Sequence, residues 1–222
     1  SMQKARHRLD NIGKPLNSLG VFEDIVEKLS GIFGNHKFSI DKKCIVVMCA
    51  DNGIIAKGVT QTDNSVTAIV AKGLVESTTT VCKMAETINA DVIPVDVGIA
   101  TDIDEPKIIK HKLAYGTKDF SEEQAMTREQ AEDIILFGIS LVKKLKEEGY
   151  NIIGTGEMGI GNTSSSAACA SCLLKIPVER VTGKGSGLTK EAFENKKLVL
   201  KKSIQLHNPD PNDPIDILSK VG

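Results

Sequence analysis

No stretch of this chain is apolar for long enough to cross a membrane as a helix, and no signal-peptide pattern precedes its apolar segments. Charge of one sign is not in excess either. Lysine and arginine number 28 against 29 acids, a net charge of −1, so the electrostatic footprint of a nucleic-acid or anionic-membrane binder is missing. Paired cysteine spacing is also lacking: Cys44, Cys49, Cys82, Cys169 and Cys172 form an odd set without a disulfide framework. Cys169-Ala-Ser-Cys172 has the spacing of a redox motif but falls inside a predicted helix, so reduced core thiols in a cytoplasmic protein are expected. His7, His36, His111 and His207 are scattered, nowhere spaced like ligands, and no metal site is predicted. Repeats and low-complexity segments are absent. What remains, 41% hydrophobic and 26% charged over 222 residues, is an ordinary globular composition with enough chain for one domain or one and a half.

The periodicity predicts alternating strands and helices. Residues 3–11 and Leu19–Phe33 read as helices, the second carrying Leu19, Phe22, Ile25, Val26 and Leu29 at helical spacing with Ser18 as its expected N-cap. Lys43–Cys49 is a mostly apolar run suited to a strand covered on both faces, closed by the turn signal Ala50-Asp51-Asn52-Gly53. One long helix is expected roughly from Ser65 to Ile88, then a strand at Asp91–Val97 and a third strand at Lys107–Lys112. Thr127–Glu148 reads as an amphipathic helix capped by Thr127 and ended by Gly149. An extended piece at Ile176–Val181, a helix at Lys190–Leu206 and the start of another at Ile215–Lys220 complete the pattern. Such alternation argues for an α/β fold with a parallel, Rossmann-like sheet flanked by helices, ligands sitting at the carboxyl ends of the strands. Residues 1–35 are expected to give helices of a small second subdomain and 36–222 the α/β domain. Asp51, Asp96 and Glu157 are expected to point into one crevice. The chain stops just after an apolar segment has begun at its C-terminus, which predicts further sequence beyond it.

Gly-Thr-Gly-Glu-Met-Gly-Ile-Gly-Asn-Thr over residues 154–163 is the most informative segment. Glycines let backbone N–H groups approach an anion, an apolar run (Tyr150–Ile153) precedes it, and a small-residue helix at Ser164–Leu174 follows with its positive dipole end behind the loop. Gly154, Gly156 and Gly159 match a dinucleotide-binding fingerprint, with Glu179 standing twenty residues beyond Gly159. Against that, Glu157 would lie in the turn that must receive a doubly charged pyrophosphate. A purely structural turn is the other alternative. A single phosphate fits better, supported by a second glycine-rich turn at Gly183–Leu188 leading into a helix that carries Lys196. Taken singly, that lysine reads as a solvated helix residue, Asp51 and Asp96 as strand ends, and Thr60–Ser65 as an N-cap cluster.

Together these segments resemble a known family. Lys14-Pro15 with Ser18-Leu19-Gly20, Ala50–Gly53, Gly58-Val59, Val66–Ala68, Val95–Gly98, Gly156–Thr163 and Asp216–Gly222 are similar, in colinear order over nearly the whole chain, to the nicotinate-nucleotide–dimethylbenzimidazole phosphoribosyltransferases of cobalamin biosynthesis. The resemblance implies transfer of phosphoribose from nicotinate mononucleotide to a benzimidazole-type base, giving an α-riboside 5′-phosphate and nicotinate, by a cytoplasmic homodimer without a cofactor. It implies Glu157 as the supporting catalytic carboxylate. Gly159, Gly161, Asn162, Thr163 and Lys196 would hold the ribose phosphate, and Thr62, Val70 and Met158 would line the base pocket. The chain departs from the family in three places. Val70 stands where a glutamine is usual and Asp51-Asn52 replaces Asp-His, which points to a phenolic or otherwise altered base as an alternative. The family's general-base glutamate lies in a C-terminal Arg-Leu-Gly-Glu-Gly-type motif that does not occur here, so a non-catalytic nucleotide- or base-binding fragment is the alternative function.

Overall fold

A computed structural model describes residues 1–222. The chain divides into two compact units, Ser1–Asp41 and Lys42–Gly222.

The first unit is a helix pair, α1 (Met2–Asp10) and α2 (Val21–Ile32). Ser18 is not the cap of α2. That position is taken by Gly20 in a positive-φ conformation (57°), without any side-chain cap. Instead the carboxylate of Glu23 reaches back past the cap and accepts from the N–H of Leu19, the residue before it (3.2 Å). Arg6 on α1 donates to Asp24 (2.6 Å) and Glu27 (2.9 Å) on α2. Of the apolar residues expected along α2, Leu19, Phe22 and Ile25 are exposed.

The second unit is the expected parallel α/β layer. Strands β1 (Lys43–Ala50), β2 (Ala90–Gly98), β3 (Ile109–Lys110) and β4 (Ile152–Met158) form one sheet in the order β3-β2-β1-β4, every pairing parallel. Central β1 has no exposed residue and buries Cys44, Val46, Val47 and Cys49, because helices cover both faces, as its apolar run requires. On one face, α3 (Ser65–Val75) and α4 (Thr80–Glu86) pack Ala71, Leu74 and Cys82 against Val47 and Cys49. On the other, α5 (Arg128–Glu147) sets Leu141 and Leu145 against Cys44, Val46 and Val95. Each such leucine stabilises the docking by roughly 1.5–3 kcal/mol. Thr127 caps α5 as its sequence predicts: its hydroxyl accepts from Gln130 N–H (3.1 Å) while the Gln130 side chain accepts from Thr127 N–H (2.9 Å). A third cluster joins Ile54, Phe120 and Leu200 to α6 (Asn162–Leu174), α7 (Lys190–His207) and α8 (Pro214–Val221).

The differences from the sequence reading are local and have local causes. The single helix expected over Ser65–Ile88 is broken in two, with Ser77 at φ 56° and Gly73 so close to Thr78 that a Cβ would lie 2.9 Å from its hydroxyl. The third strand is only two residues long. The extended piece at Ile176–Val181 is instead a 3-10 turn, Val178–Arg180.

Candidate anion-binding site

The chain runs outward from β1 through β2 to β3 and only then returns to place β4 on β1's other side. The connections leaving β1 and β4 therefore diverge, and in parallel sheets ligands bind in the crevice such a switch leaves at the carboxyl ends. Residues 51–53 and 159–161 border it. β4 continues to Met158, further than expected, so Glu157 belongs to the strand and not to the loop. Gly154 and Gly156 are also strand residues, pressed on β1 with Cβ positions that would meet Ile45 at 3.3 Å and Val47 at 3.4 Å. Their glycine character serves sheet packing, and Glu179 pairs with Lys201 at 3.1 Å. The dinucleotide fingerprint is thus a coincidence of spacing.

The true turn is Gly159-Ile160-Gly161. A Cβ on Gly159 would fall 2.0 Å from the Ala50 carbonyl oxygen, and one on Gly161, at φ 94°, would fall 2.7 Å from Ile55 Cγ2. Only glycine fits at either position. Helix α6 follows at once, and no side chain caps it. Asn162 N–H donates to the Gly159 carbonyl (3.1 Å) and Ser164 N–H to the Gly161 carbonyl (2.8 Å), which leaves the Thr163 N–H and the positive dipole end for another acceptor. Here a cavity of about 130 Å³ opens, lined by Met158, Gly159, Gly161, Asn162 and Thr163 on one side and by Lys184, Gly185 and Ser186 of the second glycine-rich turn on the other.

Lys196 on α7 is 1% exposed. Its Nζ donates to Thr163 Oγ1 at 2.7 Å, and burial pushes its pKa down with no carboxylate to oppose the shift. A Cβ on Gly185 would come 3.8 Å from that nitrogen, so the ammonium lies just behind the cavity's glycine wall. Glu157 is exposed at the rim and accepts a hydrogen bond from Asn162 Nδ2. The carboxylate is thereby linked to the cavity through a residue that lines it.

Five of the expected site residues, Met158, Gly159, Gly161, Asn162 and Thr163, meet around one cavity, with Lys196 behind it and Glu157 beside it. Thr62 and Val70 do not line it: Thr62 is exposed in the loop before α3 and Val70 is half-buried on α3. Asp51 and Asp96 are buried near the same Cys49 thiol that Glu157 acts on, but unlike Glu157 they are bonded to backbone amides. Asp51 Oδ2 accepts from Ala100 N–H (2.8 Å), and Asp96 Oδ1 accepts from Gly98 and Ile99 N–H (3.2 and 2.9 Å), so both hold the loop after β2. Sequence reasoning missed Lys184 and Ser186 as lining groups. It also missed the bonds of Asn52, whose Nδ2 donates to the Ile160 carbonyl (3.1 Å) and whose Oδ1 accepts from Ser165 (3.0 Å). The turn signal at residues 50–53 was visible, but its partners lie more than a hundred residues away along the chain.

A family model described as a phosphoribosyltransferase matches residues 1–222. The chain is similar to the nicotinate-nucleotide–dimethylbenzimidazole phosphoribosyltransferase of Clostridium tetani, 45% identical over 221 residues, with 100% of this chain and 61% of that protein covered. It is similar to the enzyme of the same name from Clostridium acetobutylicum at 47% identity, covering 100% of this chain and 63% of the relative. Among solved structures, CobT from Thermus thermophilus superposes with a TM-score of 0.90 at 30% identity, covering 100% of this chain and 66% of that one. The chain thus spans a little over three-fifths of the length of the curated relatives it matches. Family model, relatives and solved fold agree, and the chain belongs to the nicotinate-nucleotide–dimethylbenzimidazole phosphoribosyltransferase family.

Proposed function

We propose that this chain carries the mononucleotide-binding part of an enzyme that moves phosphoribose from nicotinate mononucleotide to 5,6-dimethylbenzimidazole or a related base, in cobalamin lower-ligand synthesis. One observation carries the reading: Lys196 is a buried ammonium without a counter-anion, beside an uncapped helix N-terminus and a turn that only glycine can form. An isolated buried charge is costly, and a phosphate delivered into the cavity would compensate it.

In this reading Lys196, the Thr163 hydroxyl and the free amides of Gly161 and Thr163 hold the 5′-phosphate, which places the sugar toward Glu157. A ring nitrogen of the incoming base attacks the anomeric carbon from the face opposite nicotinate, so the β-nucleotide gives an α-riboside. The bond to the pyridine nitrogen breaks, its electron pair neutralises the ring's positive charge, and nicotinate leaves without needing an acid. Positive charge builds on the sugar carbon meanwhile, and the Glu157 carboxylate stabilises it. The attacking base gives up its ring proton to the Glu157 carboxylate or to a carboxylate supplied by a paired copy. Met158, at the cavity, suits contact with an aromatic ring, and Thr62 and Val70 complete the base site in this reading. Pairing of two copies belongs to the same reading, with the exposed stripe Ile135, Ile139 and Val142 on α5 as a surface suited to it. A cytoplasmic location suits five cysteines that form no disulfide.

A binding-only role is the second reading, favoured by the engagement of Glu157 with Asn162. Chromatographic detection of nicotinate released from the mononucleotide, with and without dimethylbenzimidazole, separates the two. Base-dependent release is expected; tight mononucleotide binding without release supports the binding role, and absence of binding refutes both.

A further inference from the structure

Both peptide planes that flank Ile160 are pinned, from two different elements. Its N–H donates to the hydroxyl of Thr67 on α3 (3.1 Å), a side chain with 0% exposure. Its carbonyl accepts from Asn52 Nδ2 at the end of β1 (3.1 Å). Asn52 Oδ1 in turn accepts from the Ser165 hydroxyl (3.0 Å), so the same amide also grips the first turns of α6. The asparagine lies directly under the turn, its Cβ 3.0 Å from where a Cβ on Gly161 would be.

In a trans peptide the C=O and the N–H point in opposite directions. Thr67 holding the Ile160 N–H therefore turns the Gly159 carbonyl the other way, where it accepts from Asn162 N–H (3.1 Å). Asn52 holding the Ile160 carbonyl likewise turns the Gly161 N–H away from β1, and no group of the protein takes that N–H up. Gly161 lines the cavity. A free donor is thus held at the anion site by a side chain that need not touch the anion.

We propose that Asn52, seconded by Thr67, is a positioning residue that pre-organises the Gly159–Gly161 turn for phosphate. This rests on the mononucleotide reading above. Preset donors bind an anion without the cost of ordering the loop that carries them. An alanine at position 52 frees the Ile160–Gly161 peptide to rotate, whereas a histidine, donating from one ring nitrogen and accepting at the other, keeps both bonds.

The test compares wild-type protein with Asn52→Ala, Asn52→His and Ser165→Ala by calorimetry, using nicotinate mononucleotide and the same nucleoside without its phosphate. Amide exchange across residues 159–165 is followed in parallel. For Asn52→Ala we expect at least tenfold weaker mononucleotide binding and less than a twofold change for the unphosphorylated nucleoside, with exchange at the hydrogen-bonded amides of Ile160 and Asn162 tenfold faster. Asn52→His should bind within threefold of wild type, and Ser165→Ala, which removes only one of the two bonds, should fall between. Equal loss of both ligands with a lowered melting temperature would make Asn52 a structural residue only, and no loss would overturn its role altogether. Should the alanine variant not fold, Ser165→Ala decides on the same readouts. Should wild-type protein bind neither ligand, the mononucleotide reading fails, and faster exchange confined to residues 159–165 in the alanine variant upholds the clamp, while unchanged exchange rejects it.

Discussion

Glu23 and Lys196, one in each unit, are both almost wholly withdrawn from water, and the protein treats them in opposite ways. Glu23 in the helix pair is 1% exposed, with Lys14 Nζ at 2.8 Å, Arg6 Nη1 at 3.5 Å and the Leu19 N–H at 3.2 Å. Lys196 in the α/β unit is equally hidden and has a single hydroxyl for company. Both pKa values are lowered, from opposite causes. The Lys14 ammonium favours the charged form of Glu23, while burial alone disfavours the charged form of Lys196. A buried charge that is fully answered by its neighbours is part of the architecture. One left unanswered holds electrostatic attraction in reserve for a ligand.

The sharpest way to break this contrast is Lys196→Met. Losing a charge-assisted bond to a buried anion costs about 1.5–3 kcal/mol, so mononucleotide affinity should drop roughly 10- to 100-fold by calorimetry. The empty protein should melt no lower than wild type, because an uncompensated ammonium has been replaced by a fitting apolar chain. A destabilised protein with unchanged affinity would mean that Lys196 is architectural after all. Lys14→Met should do the reverse in the first unit: Glu23 loses its nearest cation, stability at neutral pH falls, and Glu23→Gln added on top recovers part of it. Chemical denaturation at pH 7 measures both variants.

The pH dependences should also run in opposite directions. Glu23 has a folded pKa below its ordinary value of 4.5, so its contribution is present above that value and lost as pH falls through the lower folded pKa. Lys196 has a folded pKa below 10.5, so its charged form opposes folding at lower pH, and the empty protein gains stability as pH climbs from the folded pKa toward 10.5. Phosphate binding requires the ammonium and should weaken over that same alkaline interval, with proton uptake on binding. Titrations in buffers of different ionisation enthalpy would detect that proton, and its absence would remove Lys196 from the anion site.

How much of this was legible follows from the range of the interactions. The α5 cap was read correctly because Thr127 and Gln130 are three residues apart, and β1 because a strand covered on both faces needs an apolar run. The glycine turn was legible because small residues ahead of a helix have few other uses, whereas Lys196, a solvated helix lysine when taken singly, was pointed to by the family resemblance. What failed was the exact end of β4, where Gly154 and Gly156 look like loop residues until β1 is seen to press on them. The break between α3 and α4 was missed too, since no proline marks it and the positive-φ position that ends α3 is occupied by Ser77, not by a glycine. For Asp51 and Asp96 the sequence left two uses open, because an acid at a strand's carboxyl end serves loop anchoring as well as ligand binding, and the bonds to the Ala100, Gly98 and Ile99 amides show the first. Asn52 was beyond reach: one side chain joins Ile160 to Ser165 from the other end of the sheet's connection.

The smallest expected effect tests whether burial, and not charge alone, separates Lys196 from other lysines. Lys184 lines the same cavity, yet it is exposed and belongs to the second glycine-rich turn, which is held at one end by Gln61 donating to the Gly187 carbonyl (3.1 Å). In water its attraction to a phosphate is screened over about 10 Å at 0.1 M salt, and exposed pairs contribute only about 0.2–1 kcal/mol. Lys184→Ala should therefore weaken mononucleotide binding by about two- to fivefold at low salt, and the loss should vanish as ionic strength rises. The deficit of Lys196→Met, by contrast, should persist as salt rises, because a pair formed with a side chain of 1% exposure is screened far less than one in water. Equal salt sensitivity of the two variants would show that the buried ammonium is reached by solvent when the protein moves, and the distinction between an architectural charge and a reserved one would then rest on mobility and not on burial.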